Sequence, residues 1–450
     1  MQWLSGYPPF SLMSLIALAV MTFWLKEGSW HSLAKAGLLA VLLAAYQWIP
    51  FLELLLHSTR RIFLDPHITG TFSIPLKDLI KELFWPQWIW MSPQVQGDPA
   101  VVSFYFGALA IPLAAWASWK GKKREQRLAL AAILVFVLCL GTAIPGYQWM
   151  FPLHICRFPA TWLLLSAMLL SLLAGAGIAK FRNPRIAWAL VGVMLMDLMV
   201  FAQVPTVAWF DPQYLDKPPP LALDLKESPY PTRIYYSPLI DPAWLRLRLR
   251  TMDDYLLMKQ WMPPSSIVAW GGREANSYQV LRLKRTQDYL NAMAREGPQS
   301  PRLSWAGISM IMTLQHVPSP GTNDSFVTLR LAHAMPPVFW DDGHTTDAIT
   351  LKENAAGQIK AEVNLAKPGT LVLSEVDYPG WQVRVDGLRV KHDRFVDTFI
   401  AEAIPAGTHK VEWTYNPLSF RIGFAISLLT FVLIPFWIFS KRAKLARATA

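Results

Sequence analysis

Apolar positions follow two patterns along this chain. Seven long runs dominate: Phe10–Leu25, Leu33–Leu56, Val101–Trp119, Leu128–Gly146, Phe158–Ala179, Ile186–Val204 and Ile422–Phe439. Each approaches the roughly 20 mostly apolar residues that cross a bilayer as a helix. The second contains Pro50 and Glu53, which places its last turns at the membrane interface. Ahead of the last run the period drops to two. Ile359–Val363, Thr370–Val376, Trp381–Val385, Phe399–Ala403 and Thr408–Tyr415 alternate, and Pro368-Gly369, Pro379-Gly380, Asp386-Gly387 and Ala406-Gly407 punctuate them. Regular short strands with turn signals predict a β-sandwich. The stretch before it is mixed. Pro218-Pro219-Pro220 marks a linker, Trp270-Gly271-Gly272-Arg273 a turn, Gln279–Met293 a helix and Ser304–Thr313 a buried strand.

The expected architecture is a polytopic α-helical membrane protein with an extracytoplasmic α+β and β-sandwich domain before the last span. Residues 1–204 hold six spans, 205–345 an α+β domain, 346–418 the sandwich, and 419–450 the last span with a basic tail.

Composition agrees. The chain is 53% hydrophobic and 16% charged, against about 25% charged in soluble domains. Its charge reads as topology. Lys26 and Lys35, then Lys120, Lys122, Lys123, Arg124 and Arg127, then Lys180, Arg182 and Arg185, and finally Lys441, Arg442, Lys444 and Arg447 occupy alternate connections. Positive residues stay on the cytoplasmic side, so the 57–100 and 147–157 loops and the 205–418 region are expected outside the cell. Those fourteen cations face only Glu27 and Glu125, an excess of twelve, while the whole chain carries +11. The basic balance therefore argues against a nucleic-acid partner. Cys139 and Cys156, one within a span and one in an outer loop, are poorly placed to pair and read as small apolar residues. The opening Met1–Pro9 lacks the basic region of a cleavable signal and reads as an outer loop joining a span, so upstream spans are expected.

Candidate chemistry is sparse. Leu76, Leu79, Ile80, Leu83 and Phe84 share one helical face, followed by Trp85, Trp88 and Trp90; this fits a helix lying at the headgroup level, or one packed under the outer domain. His57, Arg60, Arg61, His154 and Arg157 sit at span ends on the outer side. They fit a pocket for a lipid phosphate, or ordinary interfacial anchoring. Asp197 lies within the sixth run, where acids are usually paired or functional. Tyr378, Trp381 and Trp413 offer faces for stacking on sugar rings, or fill the core of the sandwich. The pairs Asp253-Asp254 and Asp341-Asp342 suit a divalent cation or a solvated turn. No nucleotide-binding loop, nucleophile elbow or zinc-protease motif is present, and the one cofactor the sequence leaves open is a divalent cation.

The order of features resembles the bacterial YfhO family of membrane proteins. The specific part is Tyr378-Pro379-Gly380-Trp381, Asp386-Gly387, Pro405-Ala406-Gly407, His409, Tyr415-Asn416-Pro417, Ser419-Phe420 and Gly423. Weaker echoes are Gly6-Tyr7-Pro8, Gln47 with Pro50, Tyr105-Phe106-Gly107 and Arg157-Phe158-Pro159. The resemblance implies a type C glycosyltransferase-like enzyme that moves a sugar from a polyprenyl-phosphate carrier to an envelope glycan outside a bacterial cytoplasmic membrane. An acid in an early outer loop would activate the acceptor. The chain matches a point past that loop, so no residue here is assigned as that acid. On this resemblance Arg60, Arg61, Arg157, His57 and His154 would hold the phosphate, supported by Asp197. The alternative is a non-catalytic membrane protein whose outer domain binds an envelope glycan or a partner protein.

Overall fold

The computed structural model describes scattered positions between 14 and 22, then residues 29–59, 105–150, 159–202, 217–226, 232–238, 240, 259–260, 262–276, 281–315, 325–342 and 348–448. The chain divides into two compact units, one of Met1–Trp48, Arg61–Ala208 and Ala425–Ala450, the other of Ile49–Arg60 and Trp209–Phe424.

The first unit is helical. Helix α1 (Trp30–Leu43) and helix α2 (Ala45–His57) break at Ala44. The pair is bent by 73° and qualifies as one broken span or as a re-entrant loop. A break strands backbone groups, and Ser427 answers them: its hydroxyl donates to the Leu42 carbonyl (3.2 Å) and accepts from the Tyr46 N–H (3.0 Å). Helices α3 (Ala110–Trp119), α4 (Lys123–Cys139) and α5 (Leu163–Ile178) pack around Ala114, Ala117, Leu128, Ala132, Leu169 and Leu173. Small residues bring the backbones close; a side chain at Gly177 would collide with the Leu113 carbonyl. Helix α6 (Pro184–Ala202) is apolar apart from Arg185 and Asp197, and none of its Pro184–Phe201 stretch is buried, the surface expected of a segment whose solvent is lipid. Among the described residues, two helices are long and apolar enough to cross a membrane, Pro184–Phe201 and Leu418–Pro435, or three with the broken pair.

The second unit carries the sheets. After helix α7 (Pro220–Lys226), strands β1 (Arg233–Tyr236), β2 (Arg273–Glu274), β3 (Ile308–Gln315) and β4 (Ser325–Arg330) form a sheet of order β2-β1-β3-β4, parallel except for β4. Helices α8 (Lys284–Glu296) and α9 (Pro301–Trp305) connect β2 to β3, and α8 buries Tyr289, Leu290 and Met293. The expected helix starts too early. Leu283 is still extended and bridges Ser58, so α8 begins only at Lys284. The expected strand also starts early, because Pro301 opens α9 through Trp305 and the strand begins at Ile308.

Two antiparallel sheets follow. One runs β10 (Leu388–Val390), β9 (Trp381–Val385), β13 (Gly407–Tyr415), β7 (Gln358–Leu365), β6 (Ile349–Ala355); the other runs β11 (Asp393–Phe395), β12 (Phe399–Ile404), β8 (Gly369–Val376), β5 (Val338–Trp340). Their inward residues share one core, with Trp340, Leu371, Leu373 and Ile400 from the second sheet and Ile359, Val383, Val411 and Trp413 from the first. The boundary expected at 345/346 thus falls too late: Val338–Trp340 pairs with β8 and is buried throughout, so it shows no alternation to read. Helix α10 (Leu418–Ala448) leaves this domain two residues after β13 ends.

Candidate functional site

The strand β8 ends at Val376, and the next five residues make the most chemically loaded corner of the unit. Asp377 is nearly buried and gathers basic side chains from two directions. Arg394 Nε donates to its Oδ2 (2.6 Å), His392 Nε2 lies 3.1 Å from Oδ1, and Arg285 of α8 reaches both Oδ2 (3.4 Å) and the Asp377 carbonyl. Burial alone would push this carboxyl up, but the hydrogen bonds from Arg394 and His392 outweigh it and hold it below its ordinary value. The cluster floors a cleft of about 770 Å³ that also takes in His57, Lys284, Tyr378 and Trp381.

Beyond Asp377 the chain interlocks with the entry to α10. Gly380 has φ +118°, and a Cβ there would sit 2.8 Å from Pro417 Cα, so only glycine fits this approach. Asn416 N–H donates to the Gly380 carbonyl (2.9 Å) and Tyr415 N–H to Gly357 (2.8 Å). This lock sets three rings side by side. The Trp381 and Tyr415 centroids are 5.4 Å apart and those of Tyr378 and Tyr415 6.3 Å, both tilted. The rings wall a second cleft of about 410 Å³, completed by Pro50, Glu53 and Leu54 of α2, Leu283, Pro417 and Ser419. Ser419 Oγ donates to Glu53 Oε2 (2.6 Å). Tyr378 is pushed up to about 12, by burial first and then by the charge of Glu53; Tyr415 moves the same way for the same reasons. Aromatic faces with one carboxylate can stack on the C–H face of a sugar while accepting from its hydroxyls.

Several expected residues land here. Tyr378 and Trp381 line both clefts, and His57 lies edge-on to Tyr378 at 5.6 Å, which unites one expected phosphate ligand with the expected sugar contacts. Trp413 is corrected: it is 0% exposed in the core between the sheets, where it cannot present a face to a glycan. Asp197 belongs to the helical unit. It accepts from the Tyr105 hydroxyl (2.6 Å) and the Ala108 N–H (2.8 Å), so the described structure satisfies it with neutral donors. Arg60, Arg61, His154 and Arg157, the helix expected at 76–84 and the pair Asp253-Asp254 lie outside the described residues. Asp341 and Asp342 are exposed after β5, and among the described residues no group of three metal-ligating side chains gathers.

Other signature residues are spent within the fold. Asp386 and Gly387 take positive φ in a tight turn, where Asp386 accepts from Lys410 N–H (2.8 Å) and pairs with His409 Nδ1 (2.7 Å). The Lys410 N–H first and His409 second lower the aspartate, and the hydrogen bond to Asp386 raises the histidine. Sequence reasoning missed the roles of Asp377, Arg285, His392, Arg394 and Glu53. Asp377 directly precedes the Tyr-Pro-Gly-Trp run, the one local signal; its partners come from distant segments.

No curated protein and no solved structure matches the chain. Residues 343–427 match the family model described as bacterial membrane protein YfhO. That stretch takes in the locked corner, both aromatic motifs and the start of α10, and over it the chain is similar to this family of bacterial membrane proteins.

Proposed function

We propose that this protein transfers a sugar from a polyprenyl-phosphate carrier to an envelope glycan at the outer face of a bacterial cytoplasmic membrane, and that the smaller cleft seats the acceptor. The observation that carries the reading is the set of three rings and one carboxylate, Tyr378, Trp381, Tyr415 and Glu53, assembled where the strands give way to the apolar helix α10. In this reading the chain crosses the membrane seven times with residues 205–418 outside, as the alternating positive charge suggests. Arg60, Arg61, Arg157, His57 and His154 hold the carrier phosphate. The contact of His57 with Tyr378 supports a donor lipid bordering the acceptor cleft.

The test is sugar transfer by the full chain in lipid nanodiscs, from a defined polyprenyl-phosphate sugar to a defined envelope glycan. Trp381→Ala removes a stacking face used in both ground and transition states, so the acceptor KM should rise about tenfold with kcat little changed. An unchanged KM rejects the cleft as the acceptor seat.

One observation favours the non-catalytic alternative. The carboxylates of Asp377 and the signature Asp386 are consumed by partners within the domain, which suits a glycan-binding module. Glycan binding without transfer in the same assay would select it.

A further inference from the structure

Two carboxylates border neighbouring clefts of the second unit, and their surroundings differ in one respect. Asp377 is met by Arg285, His392 and Arg394. Glu53 lies in a wall made of Pro50, Leu54, Leu283, Gly357, Pro417 and three aromatic rings, and none of the residues lining that cleft is Lys, Arg or His. Among the described residues its one hydrogen-bond donor is the neutral Ser419 hydroxyl, which occupies Oε2. Glu53 is half-buried there, and the charged group that complements a carboxylate on such a wall is a cation, through a charge-assisted hydrogen bond. The rings point the same way. Aromatic faces carry negative potential, repel anions and attract ammonium groups within about 6 Å of a ring centroid. Trp381 and Tyr415 stand 5.4 Å apart at a 52° tilt, and Tyr378 closes the row, so an ammonium beside Glu53 is presented with more than one face. An anionic or phosphate-bearing unit is opposed by the same features.

We infer that the ligand of this cleft is an amino sugar carrying a free, unacetylated amine, whose ammonium pairs with Glu53 while its ring stacks on Trp381 and Tyr415. The inference rests on the acceptor-seat reading above and sharpens it to a class of glycan.

The experiment compares binding of β-1,4-linked glucosamine hexamer with its fully N-acetylated counterpart, using the full chain in nanodiscs. The amine form should bind about tenfold tighter. Glu53→Gln, which keeps shape and removes charge, should abolish that preference by weakening the amine form alone. Trp381→Ala should weaken both forms. Equal binding of the two hexamers by the unaltered chain, or a preference for the acetylated one, overturns the amine inference and leaves a neutral-sugar seat standing. Binding of neither hexamer overturns the inference and the seat together. The comparison on the unaltered chain decides the matter even where a variant does not fold.

Discussion

Asp377 and Glu402 lie in the same pair of sheets, both nearly buried, and burial takes them in opposite directions. Asp377 follows the end of β8, at the edge that faces α8, and two arginines and His392 reach it there. Glu402 points from β12 into the core shared by the sheets, on the face of Ile400 and Ile404, and is 3% exposed. Neither of its oxygens has a hydrogen-bond partner among the described residues, and the indole N–H groups of Trp340 and Trp413 are likewise unmet. Burial pushes Glu402 up to about 8; the Trp413 indole pulls weakly the other way without completing a hydrogen bond. Asp377 is held below its ordinary value by its hydrogen bonds. The difference teaches that depth does not decide the state of an acid in this domain. What decides it is whether the fold has an edge there across which cations can arrive.

The comparison is sharpened most by removing the unpartnered acid. Glu402 is raised in the folded chain from 4.5 to about 8. Below pH 4.5 both folded and unfolded chains hold the proton, and the contribution to stability is complete. As pH climbs toward 8 the unfolded chain releases its proton while the folded one must keep it, so stability falls, by on the order of 3–5 kcal/mol across that window. Glu402→Gln needs no proton. Thermal unfolding of the full chain in nanodiscs from pH 4.5 to 8 should show a slope that the variant lacks. Equal slopes would mean that Glu402 is solvated or paired, and the contrast with Asp377 would vanish.

Asp377→Ala attacks the other side. It leaves Arg285, His392 and Arg394 without their anion. These side chains are 31%, 21% and 51% exposed, so water recovers part of the loss. The expected cost is about 2 kcal/mol, below the 3–5 kcal/mol of a fully buried pair. The sign with pH is opposite to that of Glu402. A carboxyl lowered below 3.8 stabilises above that value and loses its contribution as pH falls through the folded one. Asp377→Asn should therefore flatten the acid limb of the stability profile and leave the limb above pH 4.5 unchanged; a change confined to the upper limb would refute the assignment.

Five of the nine strands in these two sheets were legible because alternation and turn glycines are local signals; β6, β10 and β11, like β5, were not read. Trp381–Val385 forms over its expected limits, and the other four shift by at most two residues at either end. β5 was illegible because a strand buried on both faces does not alternate. Chemistry depended on contacts that sequence does not order. Asp377 meets His392 and Arg394 from 15 and 17 residues away, but Arg285 from 92, and Glu53 meets Ser419 from 366. Trp413 and Tyr415 share one face of β13, yet the first fills the core and the second, at the strand end where the core runs out, is 38% exposed and walls a cleft. Periodicity gives the face of a residue and says nothing of where along the strand the core stops.

A third carboxylate tests whether charge is needed at all. Asp197 of α6 accepts from the Tyr105 hydroxyl and the Ala108 N–H, both neutral, and the Ala108 N–H also reaches the Tyr105 oxygen (3.1 Å). Gly107, at φ +95°, turns the chain so that the N–H of Ala108 can point at the carboxylate; a Cβ there would approach Asp197 Oδ2 to 3.3 Å. Two neutral hydrogen bonds at a half-buried site are worth less than the two arginines and one histidine around Asp377, so Tyr105→Phe should cost about 1 kcal/mol. It removes one donor and keeps the ring that packs on Phe201 at 4.9 Å. Hydrogen exchange at the Ala108 amide separates the accounts. If Asp197 is held by this local triangle, exchange at Ala108 should quicken in Tyr105→Phe while the sheets of the second unit stay unchanged. If exchange is unmoved, a cation outside the described residues holds Asp197, and all three acids would then follow the rule that Asp377 obeys.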